Sequence, residues 1–76
     1  MNFDNLYKIL KDNLNLLDFP ITDDMVLNEM PNWSSLTRLY IFSDIELEYN
    51  FRFDVTEIEC LRTVKELKIA INSKTE

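Results

Sequence analysis

The chain has 76 residues, with 46% apolar and 29% charged side chains, the composition of one small globular domain with a thin core. Fourteen acids against eight bases give a formal charge of −6, which excludes the basic patches that nucleic acids and anionic membranes require and favours partners with basic surfaces. There is no histidine, so the commonest general base and metal ligand is missing, and the single cysteine excludes an internal disulfide framework.

The first element is a helix from about Phe3 to Leu16. Phe3, Leu6, Tyr7, Leu10, Leu14 and Leu17 recur at helical spacing, while Asp4, Lys8, Lys11 and Asp12 fall mostly elsewhere. The N-terminus, Met1-Asn2-Phe3-Asp4-Asn5, lacks a basic n-region and an apolar h-region, so no signal peptide is expected. With one cysteine and no apolar stretch of membrane-spanning length, a cytoplasmic protein is expected.

A long connection follows from Asp18 to Trp33 and carries both prolines, Pro20 and Pro31. Leu27 and Met30 are the side chains that can anchor it. Asp23 and Asp24 are adjacent carboxylates without further spaced oxygen ligands, so they predict a turn or a solvated patch rather than a cation loop. No metal ligand set can be named. Trp33, just before the next helix, is expected to be a packing anchor.

The second helix runs from Ser35 to about Tyr49, without Gly or Pro. At about 100° per residue, Ile41, Phe42, Ile45 and Tyr49 gather on one side. Leu36, Leu39, Tyr40, Ser43 and Leu47 gather on the other. Arg38 and Glu46 lie on one flank, and Thr37, Asp44 and Glu48 on the other. Two readings of these two apolar faces stay open: a helix packed on both sides, or one core face and one partner face. Ser35 falls in the first turn, where unpaired backbone N–H groups and the helix dipole favour an anion.

A stubby third helix is expected between Asp54 and Leu61, capped by Asp54-x-x-Glu57 or Thr56-x-x-Glu59. Cys60 is expected to be a core or half-exposed residue of it. Thr63-Val64-Lys65-Glu66 is a capping box that opens a fourth helix to about Asn72, with Val64, Leu67, Ala70 and Ile71 as its buried stripe. The tail Ser73–Glu76 is expected to fray. The chain has no glycine, which disfavours hairpins and excludes phosphate-cradling Gly-rich loops. No hydrolytic site can be assembled: base, metal cluster and oxyanion loop are all missing.

In chain order these features resemble the acyl carrier protein and peptidyl carrier protein superfamily. The match comprises an amphipathic first helix, Ile21-Thr22-Asp23-Asp24, Leu27, then Ser35-Leu36 opening a long helix. Glu46-Leu47-Glu48-Tyr49, Phe51-Arg52-Phe53, a short helix and Thr63-Val64-x-x-Leu67 follow. It covers most of the chain. The resemblance implies one all-α carrier-like domain over 1–76: a small four-helix bundle of three longer helices and one short one. It implies that Ser35 carries a 4'-phosphopantetheine arm, attached by a phosphopantetheinyl transferase, whose thiol holds an acyl or aminoacyl group as a thioester. The chain is then a monomeric substrate of loading and transfer enzymes, not an enzyme, and it binds no nucleic acid and inserts in no membrane. The resemblance also makes Ile41, Phe42, Ile45 and Tyr49 core and turns Leu36, Leu39, Tyr40 and Leu47 into the recognition face. The family's face is usually acidic; here it is apolar.

The sequence departs from the family motif at two places. Ser34 stands where Asp usually precedes the modified serine, and Asn32 stands two positions before that, where Gly is usual. Ser34 is itself a good N-cap, so the register assigns capping to Ser34 and modification to Ser35. Trp33, two positions before Ser35, matches the spacing of D-alanine carriers for teichoic acids. Three other readings remain open: both serines only cap a helix; the domain is an unmodified carrier-like module that binds a partner through the second helix; or it is an unrelated acidic helical regulator.

Overall fold

The computed structural model describes residues 3–16 and 18–75. Leu17, assigned above to the stripe of the first helix, lies outside the described residues, as do Met1, Asn2 and Glu76. Among the described residues four α-helices follow in order: α1 (Asp4–Leu14), α2 (Ser35–Tyr49), α3 (Val55–Cys60) and α4 (Val64–Thr75), with a 3-10 turn (Leu27–Glu29) inside the long connection.

α1, α2 and α4 share one core because each carries an apolar stripe that is stable only when packed against others, and α3 adds the partly buried Ile58. Leu6, Leu10 and Leu14 from α1, Ile41, Phe42 and Ile45 from α2, and Val64, Leu67 and Ile71 from α4 are buried together. Leu16, Leu27 and Met30 from the connection join them, so this segment is held by its own apolar side chains. Ala70, placed on the α4 stripe above, is only half-buried.

In a chain without glycine, asparagine supplies the left-handed backbone. Asn15, Asn32 and Asn50 have φ of 57°, 66° and 60°, a region that Asn tolerates better than most residues. Asn15 and Asn50 end α1 and α2 in the same way. The next amide reaches back five residues: Leu16 N–H donates to Lys11 O at 2.9 Å, and Phe51 N–H to Glu46 O at 3.2 Å. This ends α1 at Leu14, not at the expected Leu16, which instead turns inward as a buried residue.

The expected fraying of the C-terminal tail is also corrected. α4 continues through Ser73 and Lys74 to Thr75. Lys74 pairs with Glu57 of α3 at 2.7 Å, and Thr75 Oγ1 donates to Ile71 O at 2.9 Å. Both contacts hold the last turn.

The long connection is fastened to the start of α4. Val26 and Thr63 form an isolated antiparallel bridge. Leu27 N–H donates to Arg62 O at 2.8 Å, Val64 N–H to Met25 O at 3.1 Å and Lys65 N–H to Asp23 O at 3.0 Å. Asp23 and Asp24 lie in a turn, as expected; Asp23 pairs with Lys68 at 2.6 Å, and Thr22 Oγ1 donates to Asp24 at 2.6 Å. Lys68 also lies over the rings of Tyr7 and Phe3.

Two capping boxes match the sequence. Asp54 and Glu57 cap α3, and Thr63 and Glu66 exchange bonds at the start of α4. Cys60 is exposed, which corrects the expected core or half-buried placement. The reason is register: Ile58 and Leu61 turn towards the core, so Cys60 faces away.

Candidate functional site: the start and outer face of α2

Ser34 and Ser35 have different tasks at the start of α2. Ser34 is extended, with φ −149° and ψ 170°, and is the N-cap. Its Oγ accepts the Thr37 N–H at 3.2 Å, and Thr37 Oγ1 accepts the Ser34 N–H at 2.8 Å. A threonine thus fills the role that Glu or Gln usually has in a capping box. The Thr37 hydroxyl has one proton for either Ser34 O at 3.1 Å or Asn32 O at 3.4 Å.

Ser35 is the first residue of the helix and is exposed. Its hydroxyl has no hydrogen-bond partner among the described residues. No acid lies in the first turn, so nothing there opposes the positive end of the helix dipole. The charge on this stretch is Arg38, at i+3 from Ser35 and therefore a neighbour on the helix surface.

The approach to this turn is held by Asn32 and Trp33. Asn32 is left-handed, and its Nδ2 donates to Leu14 O at 2.7 Å, the end of α1. The position therefore needs a residue that tolerates positive φ, which explains asparagine where the family motif has glycine. Trp33 packs half-buried against the core, as its anchoring role required. Beside it a cleft of about 140 Å³ runs between the 3-10 turn, α2 and α3, lined by Leu27, Trp33, Arg38, Phe42 and Ile58 among others. Sequence reasoning missed Arg38 as a site residue; its i+3 spacing from Ser35 was the available signal.

The two faces of α2 separate as the periodicity allows. Ile45 and Ile41 are fully buried and Phe42 nearly so. Leu36, Leu39, Tyr40 and Leu47 are between 53% and 79% exposed. Tyr49 is half-buried, and its hydroxyl is buried without a partner at hydrogen-bonding geometry. Burial pushes its pKa above the ordinary 10.0; the nearby Leu6 backbone offsets this in part, and the Glu48 and Asp4 carboxylates add to it.

The acids of α2 are turned away from its outer face. Asp44 accepts from Asn13 Nδ2 at 2.9 Å, and Glu48 accepts from Asn5 Nδ2 at 3.0 Å, so both point to α1. Glu46 accepts the Phe53 N–H at 2.8 Å on the opposite flank. That bond positions the 51–53 segment, where Phe53 meets Phe42 and Phe51 edge to face. The outer face is left apolar.

This arrangement is the acyl carrier protein fold. A protein assigned as an acyl carrier protein from Mycobacterium tuberculosis superimposes with a TM-score of 0.84 at 17% identity, over 92% of this chain and 93% of that one. The solution structure of a holo acyl carrier protein from Geobacter metallireducens superimposes with a TM-score of 0.83 at 22% identity, over 95% of this chain and 83% of that one. No protein-family model matches the sequence, and no curated protein is significantly similar to it. Among the described residues there is no group of acids and cysteine that could hold a metal ion, and no helix is long and apolar enough to cross a membrane.

Proposed function

We propose that this chain is an acyl or aminoacyl carrier, with Ser35 as the attachment point of a 4'-phosphopantetheine arm. The observation that carries the reading is the division of labour at the start of α2. Ser34 is occupied as the cap, while Ser35 presents a free, exposed hydroxyl one residue later. The residues present fit a phosphodiester: the first-turn N–H groups, the dipole and Arg38 all favour an anion there, and no acid of that turn opposes it. When attached, the arm supplies a thiol that holds the cargo as a thioester; the chemistry belongs to the cofactor and to the enzymes that act on it.

The protein's own contribution is presentation. Capping fixes the start of α2, the core face of α2 fixes its direction, and the bond from Asn32 to Leu14 O ties the approach to α1. The partners are a phosphopantetheinyl transferase and the loading and transfer enzymes, which read Leu36, Leu39, Tyr40 and Leu47. The test is an intact-mass measurement after incubation with coenzyme A and a broad-specificity phosphopantetheinyl transferase. A gain of one phosphopantetheine supports the carrier. A protein that stays at its starting mass, while a control carrier is converted, is instead the unmodified interaction module, a reading that Ser34 in place of the usual acid favours.

A further inference from the structure

The long connection before α2 folds around a pocket of its own, about 270 Å³ in volume, to which α2 contributes no residue. Phe19, Met25, Val26 and Met30, all buried or half-buried, form its apolar wall. The exposed Asp24 and Glu29 stand at its mouth, and no cation lines it. Residues 18–33 hold four acids and no base, so the segment cannot neutralise itself. Asp23 is paired with Lys68, but Asp24 and Glu29 form no ion pair among the described residues. Asp24 accepts the Thr22 hydroxyl, a neutral donor that leaves its charge in place. The pocket is also preformed. Val64 N–H donates to Met25 O and Leu27 N–H to Arg62 O, which tie one wall to the start of α4. The 3-10 turn, closed by Met30 N–H to Leu27 O at 3.1 Å, sets Glu29. Arg62 and Lys65, whose backbones pair with this segment, form no ion pair with either carboxylate.

We propose that this pocket docks one arginine side chain from a basic segment of a partner protein, with the stem against Met25 and Met30 and the guanidinium between Asp24 and Glu29. This goes beyond the carrier assignment and needs neither the arm nor the outer face of α2. Charge complementarity sets the sign of the occupant: the mouth carries two unpaired carboxylates and no base. The apolar wall sets its shape. Carbon and thioether are poor ligands for a hard metal cation, but they cover an aliphatic stem. At ~30 Å³ per water-sized group, the volume is that of one long side chain and not of a helix. A guanidinium fits better than an ammonium, because its planar donors serve two carboxylates and its face stacks on a ring such as Phe19. A second copy of the chain, offering its exposed Arg52, is a poorer occupant. Two chains of net charge −6 repel each other, and one side chain in one pocket buries far less than the ~800 Å² per partner of a stable interface.

The test uses short alanine-rich peptides that differ at one residue. One carries arginine, one carries citrulline (the same shape without the charge), and one carries a guanidinium on a stem two methylenes shorter. Binding is followed by amide shifts of the labelled protein at about 0.15 M salt, where charges more than ~8 Å away are largely screened. The arginine peptide should shift the amides of Phe19 and of Asp24–Met30. It should bind about three- to tenfold more tightly than the citrulline peptide, the equivalent of two exposed ion pairs. The short-stemmed cation should bind about tenfold more weakly than arginine, for the loss of two buried methylenes. Asp24→Asn combined with Glu29→Gln should weaken the arginine peptide about three- to tenfold. Asp12→Asn combined with Glu59→Gln removes the same charge from exposed acids elsewhere and should leave binding within about twofold. The proposal is overturned if citrulline binds as well as arginine, or if both double variants lose equally, which would reduce the effect to net charge. It is also overturned if the shifts fall outside Phe19 and Asp24–Met30, or if the free protein self-associates through these residues. The peptide comparison uses the wild-type protein, so it stands even where a variant fails to fold. None of these readouts requires the arm, so failure here leaves the assignment of Ser35 standing.

Discussion

Replacing Ile45 and Leu47, two residues apart on α2, should have very unequal consequences for stability. Ile45 is fully buried and Leu47 is 79% exposed. Ile45→Ala leaves a cavity between α1, α2 and α4 and should cost about 2–5 kcal/mol. For a domain of this size that lowers the melting temperature by about 10 °C or more, at roughly 4–8 °C per kcal/mol. It is a large share of a total stability of about 4–11 kcal/mol, taken at the usual per-residue value. Leu47→Glu removes a side chain that covers nothing in the free domain, so its effect should stay within about 0.5 kcal/mol. Thermal and urea melts of both variants decide the matter, with the helical circular dichroism signal as the readout. Equal destabilisation by the two variants would show that the outer face is core, and the partner assignment of Leu36, Leu39, Tyr40 and Leu47 would fall with it.

Ser34→Ala removes the cap and should cost about 0.5–2 kcal/mol by chemical denaturation; no loss would mean that Thr37 caps without it. Asn32→Ala should cost about 1–2 kcal/mol for its left-handed backbone, with the loss of the Leu14 bond added, whereas Asn32→Gly loses only the bond; equal losses would refute the backbone argument. Lys68 is held above its ordinary 10.5, first by its bond to Asp23 and then by Tyr7, and burial holds Tyr49 above 10.0. The folded protein binds both protons more tightly than the unfolded chain. Their stabilising contribution is therefore whole below about pH 10 and is lost as pH rises through the raised values. Tyr49→Phe should reduce this alkaline loss and be neutral or stabilising at pH 7, because it removes a buried hydroxyl without a partner; a clear loss at pH 7 would reveal a bond to that hydroxyl.

The helical parts of the fold were legible because their signals are local. The stripes of α1, α2 and α4, the boxes Asp54–Glu57 and Thr63–Glu66, and the cap at Ser34 all lie within one or two turns of sequence. What escaped was set by distant partners. The bridge from Val26 to Thr63 depends on a register between segments far apart in the chain. The last turn of α4 depends on Glu57 of α3 meeting Lys74. The left-handed asparagines were hidden because Asn is equally at home in caps and turns. At the candidate site, the placement of Ser35 in the first turn of α2 and the split between the buried and exposed faces of that helix could be read from local pattern and periodicity. The direction of Asp44, Glu46 and Glu48 could not, since it depends on Asn13, Phe53 and Asn5 across the bundle.

The most direct test of the carrier assignment is the position of the arm. Wild-type protein, Ser34→Ala and Ser35→Ala are incubated with coenzyme A and a broad-specificity transferase, and modified peptides are sequenced by fragmentation. Wild type and Ser34→Ala should gain one phosphopantetheine on Ser35. Ser35→Ala should stay at its starting mass while keeping a near-native melt. An arm found on Ser34, or on any residue of the Ser35→Ala variant, would contradict the account.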